Sequence, residues 1–201
     1  MLYKSIECHT GTKKLGENRW ISLYGGGTSR GVSVAPPINI VLNLSGQSII
    51  PENVVEFNEL AKELFGEPYS IVIPEIAIDW PDYGIPPLSK DFWNWLIEKL
   101  ESYYKKIGHV HLLCCCVGGH GRTGTALAIL GSLLNIIPQD QDPLKFVRNN
   151  YCKRAIETEK QTQYIEIITG RKLYYTPRDT TYSLPFIDNE EKTGYNFRYK
   201  K

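Results

Sequence analysis

The chain has 201 residues, 42% hydrophobic and 22% charged, enough for one domain whose core buries roughly 70% of the surface an unfolded chain exposes. This composition excludes a largely disordered chain. Lys and Arg number 23 against 22 Asp and Glu, a net charge of +1, and the pI of about 7.6 argues against a dedicated nucleic-acid binder, whose domains run above about 9.

No apolar run reaches the ~18 residues of a membrane span. The opening residues 1–7, MLYKSIE, lack the apolar stretch of a signal peptide. Five cysteines, three of them consecutive (Cys114, Cys115, Cys116), do not form a disulfide framework. They predict a reducing compartment, hence a cytoplasmic location, and a reactive thiol.

In chain order, Arg19 to Tyr24 reads as a short strand, with Gly25-Gly26-Gly27 as the turn after it. Ile38 to Leu44 is a continuous apolar run and predicts a buried strand. Pro51 suits a first helical turn, and Val54, Phe57, Ala61, Leu64 and Phe65 follow at helical spacing. Ser70 to Ile73 is strand-like. Ser89 can cap a long helix with an inner face of Phe92, Trp95, Leu96, Leu100, Tyr103 and Ile107, ended by Gly108. His109 to Cys116 predicts a strand, Gly118 to Gly124 a glycine-rich loop, and Thr125 to Ile137 a helix stopped by Pro138. Two further helices are expected over Pro143 to Tyr151 and Glu159 to Thr169. Strands separated by helices predict an α/β fold, a central mostly parallel sheet flanked by helices. One domain is expected over 1–172. The segment 173–201, with Tyr174, Tyr175, Tyr182, Phe186, Tyr195 and Phe197, is too aromatic for a free tail and is expected to pack on that domain.

The chemistry concentrates in Cys116-Val117-Gly118-Gly119-His120-Gly121-Arg122-Thr123-Gly124. Here a strand ends in a cysteine and a glycine-rich turn leads into a helix. Glycines let successive N–H groups point inward as an anion-binding nest, and the helix N-terminus adds its positive end. Arg122 can grip phosphate oxygens with its planar fork. Such a field favours the thiolate of Cys116. One short loop therefore offers a nucleophile and a trianion cradle, the pair needed for attack of sulfur on a phosphate ester.

This loop resembles the signature of the cysteine-dependent protein tyrosine phosphatases. Upstream, Trp80-Pro81-Asp82-Tyr83-Gly84-Ile85-Pro86 resembles that family's Trp-Pro-Asp loop. Leu23-Tyr24 and Ile40-Val41-Leu42-Asn43-Leu44 are similar to the opening of its dual-specificity branch, and Ala155-Ile156-Glu157-Thr158-Glu159-Lys160-Gln161 to its water-positioning glutamine loop. The resemblance implies a phosphatase fold. It gives Cys116 as nucleophile, and Val117, Gly118, Gly119, His120, Gly121 and Arg122 as the phosphate cradle. Asp82 is implied as general acid, Thr123 as an aid to the departing thiolate, and Gln161 as the orienter of water. It implies no metal or organic cofactor, no stable nucleic-acid or membrane partner, and a monomer acting on phosphorylated protein. Three positions depart from the family pattern: Cys115 stands where a His often precedes the nucleophile, Glu157 replaces the first glutamine, and Asn18-Arg19-Trp20 only faintly echoes the phosphotyrosine-recognition loop. Beside phosphate, the Glu157 carboxylate is expected to turn away or take up a proton.

Other readings of the same residues exist. Gly119-x-Gly121-x-x-Gly124 matches a dinucleotide fingerprint, but Asp140 and Asp142 lie in a loop rather than at a strand end. His109, His111, Cys114, Cys115 and Cys116 invite a metal, yet ~20 Å of strand separates His109 from Cys115. Buried thiols explain Cys114 and Cys115, and Cys8 and Cys152 read as structural. His120 either adds to the phosphate field or faces solvent, Asp79 is the fallback acid, and Thr158-x-x-Gln161 is also a capping box. Phosphotyrosine protein is the expected substrate, with phosphoserine and phosphothreonine next. The alternatives are RNA 5′-phosphate, phosphoinositide, or a pseudophosphatase that binds without turnover.

Overall fold

The computed structural model describes residues 10–46 and 73–174. The helix expected from Pro51, the strand of Ser70 to Ile73 but for its last residue, Cys8, and the segment beyond Tyr174 lie outside them. Five strands are described: β1 Lys13–Glu17, β2 Ile21–Gly27, β3 Ile40–Asn43, β4 Glu75–Ala77 and β5 Val110–Cys116. The α-helices are α1 Lys90–Ile107, α2 Gly121–Leu133, α3 Pro143–Asn150 and α4 Glu159–Thr169. The sheet order is β1-β2-β5-β3-β4. Only the β1–β2 pair is antiparallel; β2–β5, β5–β3 and β3–β4 are parallel.

β5 lies at the centre, and its period of two divides the cysteines between the faces of the sheet. Leu112, Cys114 and Cys116 join the core formed with all four helices. Leu113 and Cys115 join a smaller cluster with Ile38, Val41 and Ile73 on the other face. Burial raises the Cys114 thiol well above its ordinary value, and burial together with Cys116 and Glu75 pushes Cys115 up to about 12. Of the three, Cys116 alone ends the strand and opens the loop.

Three expectations need correction. Gly25-Gly26-Gly27 is strand, not turn, paired with Cys114, Cys115 and Cys116. The glycines are there for close approach: a Cβ on Gly25 would sit 2.7 Å from Leu127 and Tyr151, and one on Gly27 would sit 2.7 Å from the Gly118 backbone. The buried stripe of α1 is Trp93, Leu96 and Leu100, while Trp95 is 44% exposed and Ile107 faces out. Trp93 turns inward because its indole N–H donates to Tyr164 Oη at 2.8 Å, which gives the polar tip of a buried ring a partner. Cys152, read as structural, is disulfide-bonded. The helix expected over Thr125 to Ile137 instead spans Gly121–Leu133, so Gly121 to Gly124 are helix rather than loop; the ends of the other described helices follow the expected chemistry. Ser89 caps α1 through Asp91 N and Gly108 closes it, while Gly170 caps α4 in the left-handed region. Leu173 is buried and Tyr174 is exposed.

Candidate active site

β5 carries Cys116 at its C-terminal end, and the chain turns through Val117 to His120 into α2. Gly119 has φ of 68°, a conformation a side chain would resist. The loop is held from outside. Ser29 N and Oγ both donate to Val117 O, at 3.0 and 2.8 Å. Tyr151 Oη donates to Gly119 O at 2.7 Å. Gly124 N and Ile156 N donate to His120 O. In a trans peptide the N–H points opposite the carbonyl, so these anchors turn the amides of Gly118, His120 and Gly121 toward the loop interior. α2 begins there with no side-chain cap and no acidic residue in its first turn, leaving its N–H groups open to an anion.

Cys116 is 2% exposed, at the floor of this cradle. Its Sγ accepts from Gly119 N at 3.2 Å and Thr123 Oγ1 at 3.1 Å, two donors suited to a sulfur carrying negative charge. Thr123 Oγ1 also reaches Gly26 O at 3.3 Å, so its single proton serves either acceptor.

Arg122 is buried with its fork partly committed. Nη1 donates to Leu44 O and Trp80 O, at 3.2 and 3.0 Å. Nη2 stands 3.2 Å from Asp82 Oδ1. Nε is buried with no hydrogen-bond partner among the described residues, the edge a phosphate oxygen would satisfy. Asp82 is 63% exposed, at the tip of a turn closed by Gly84 N to Pro81 O. Tyr83 has φ of 56°, as the third residue of a type II turn requires. Trp80 is buried and donates Nε1 to Gly84 O at 2.9 Å. Asp79 is exposed and lies beside Gly46, without a contact to Arg122.

His120 is buried, not solvent-facing, with Nδ1 3.4 Å from Cys152 Sγ. The Glu157 carboxylate does not turn away from the loop: a Cβ on Gly121 would meet its Oε2 at 2.5 Å, and Gln161 Nε2 at 2.9 Å. Gln161 is fully buried. Its Oε1 accepts from Glu157 N and Thr158 N, at 2.7 and 3.3 Å, and its Nε2 donates to Gly84 O at 3.4 Å. The structure thus brings Cys116, the cradle, Arg122, Thr123, Asp82 and Gln161 together.

Several supports were not found from the sequence. Ser29 and Tyr151 fix carbonyls of the loop. Arg148 Nε and Nη2 donate to Ala155 O and Ile156 O, each at 3.0 Å, bracing Ile156 at φ 59°, costly for a β-branched residue. All three act through backbone carbonyls, which leave no mark in residue type. Across the sheet, His109 and His111 bond Ser22 and Tyr24.

No family model matches the chain. Two uncharacterized proteins of Methanocaldococcus jannaschii are similar to it over 97 residues, 48% of this chain. One is 34% identical over 56% of its own length, the other 36% over 60%. The chain therefore spans a little over half the length of the curated relatives it matches. Among solved structures, Tk-PTP in its active form aligns with a TM-score of 0.54 and 19% identity, covering 85% of this chain and 100% of that one. A glycine-to-alanine mutant form of Tk-PTP aligns with the same TM-score and 16% identity, covering 79% and 95%. The mostly parallel sheet, the strand that ends in Cys116 and the helix that starts at Gly121 together make the fold of the protein tyrosine phosphatases.

Proposed function

We propose that the chain is a cysteine-dependent phosphoric monoester hydrolase acting on phosphotyrosine in proteins. One observation supports the reading: a buried Cys116 Sγ with two donors opens the loop that leads to a buried Arg122, whose Nε has no partner among the described residues and whose Nη2 stands 3.2 Å from the Asp82 carboxylate. The Cys116 thiolate attacks phosphorus in line. Loop amides and Arg122 hold the equatorial oxygens and stabilise their growing charge. Asp82, protonated, gives its proton to the leaving oxygen, and a phosphocysteine remains. Water then attacks that phosphorus, Asp82 takes the water's proton, and the sulfur leaves as thiolate beside the Thr123 hydroxyl.

The large hydrophobic side chains exposed by the acid turn are Tyr83 and Ile85, and Val117 is exposed on the signature loop. This apolar trio, with no lysine within the cradle, suits an aryl phosphate better than a polyanion such as a phosphoinositide or an RNA 5′-triphosphate. Steady-state rates on a phosphotyrosine peptide, a phosphoserine peptide, a phosphoinositide and RNA 5′-triphosphate test the reading. Preference for phosphotyrosine, lost in Cys116→Ser, is expected; turnover of the RNA or lipid alone overturns the substrate class.

A further inference from the structure

From the N-terminus of α4 we infer that Thr158 and Gln161 are positioning residues of the general-acid loop: together they latch the Asp82 turn over the cradle. This rests on the phosphatase reading above. Each side chain spends its acceptor on its own helix and its donor on that turn. Thr158 Oγ1 accepts from Gln161 N at 3.2 Å and donates to Tyr83 O at 3.3 Å. Gln161 Oε1 accepts from Glu157 N and Thr158 N, and Nε2 donates to Gly84 O at 3.4 Å. The capping box thus closes α4 and points one donor from each side chain at consecutive carbonyls, those immediately after Asp82. Both acceptor sites of Gln161 Oε1 and one of its two amide N–H groups are engaged in this arrangement, and the side chain has no exposed surface. Its contribution falls on proton delivery to the leaving group, which depends on where the turn carries Asp82.

The inference separates from a purely structural role because the two donors can be removed with the cap retained. Gln161→Glu keeps an acceptor in the capping box and removes the Nε2 donor. Thr158→Asp keeps an N-cap acceptor and removes the hydroxyl donor; Thr158→Ser restores both. The readout is turnover of phenyl phosphate, whose leaving group needs a proton, against p-nitrophenyl phosphate, whose leaving group scarcely does. Each donor-less variant is expected to lose about tenfold more rate on phenyl phosphate, a fraction of the full general-acid effect. Thr158→Ser should recover the wild-type ratio, and the pH profile of the variants should lose part of its basic limb. Gln161→Met, neutral and of similar size, checks that the added carboxylate is not the cause and should shift the ratio likewise.

Equal losses on both substrates overturn the latch while leaving the phosphatase reading intact. So does a burst of nitrophenol in Gln161→Met followed by a steady rate indifferent to leaving group, the signature of a water-orienting residue. Wild-type protein silent on both substrates overturns the phosphatase reading and the latch with it.

Discussion

Between Cys116 and Gly121 the backbone is anchored by short bonds, among them those from Tyr151 Oη at 2.7 Å and Ser29 Oγ at 2.8 Å. Between Pro81 and Gly84 it is anchored to α4 by two longer bonds of 3.3 and 3.4 Å and carries a tyrosine at positive φ. Trp80 is the fixed root of this second loop, and Asp82 its exposed tip. The difference matches what each must do. Oxyanion stabilisation works through groups that need no reorganisation as charge develops. A proton donor must admit the substrate and then close on it. Arg122 touches both, holding Trp80 O and standing beside Asp82.

The sharpest way to break this comparison is to remove the nucleophile from the rigid loop. Cys116→Ser is expected to abolish turnover while phosphate-analogue binding by titration persists, because the cradle does not need the sulfur. Cys115→Ser should remain active, since that thiol belongs to the other face of the sheet. Next comes the acid on the exposed turn: Asp82→Asn should lower the maximal rate about a hundredfold or more and erase the basic limb of the pH profile. Asp79→Asn should do far less.

The third change attacks rigidity itself. Gly27→Ala drives a methyl group into the Gly118 backbone at 2.7 Å, and a shift of the cradle by ~1 Å can cost about a hundredfold in rate. With partial relaxation, a tenfold fall in kcat is expected, with stability lowered by about 1–3 kcal/mol; both are measurable by kinetics and urea melts. The smallest effect concerns titration. Cys115 is pushed up to about 12 by burial and its charged neighbours, so it keeps its proton at every pH below that range. Alkylation with iodoacetamide near neutral pH should therefore leave Cys115 unlabelled in the native protein, and labelling there would show that the sheet opens.

Much of this was legible in the sequence because residue type and spacing carry it. Ser89, Gly108, Thr158 and Gly170 mark their helix ends by local chemistry, and the Cys116 to Gly124 run carries its turn in its glycines. What escaped depended on contacts between distant segments. Gly25 to Gly27 are glycines because Leu127, Tyr151 and the Gly118 backbone come close, and no local pattern separates that from a turn. β1 is a short edge strand with Leu15 as its one buried residue, too few for a periodic signal. The rotated face of α1 follows from one hydrogen bond between Trp93 and Tyr164. Gln161 is a candidate from the sequence, but its bond to Gly84 O joins residues 77 positions apart.

The central claim is that phosphorus passes through Cys116. Rapid acid quenching of the Asp82→Asn variant during turnover of p-nitrophenyl phosphate, followed by peptide mass spectrometry, tests it directly, because loss of the base slows breakdown of the intermediate. Phosphate on the peptide containing Cys116, absent in the Cys116→Ser protein, is the predicted result. Phosphate on any other residue, or turnover with no covalent phosphate on the protein, would contradict it.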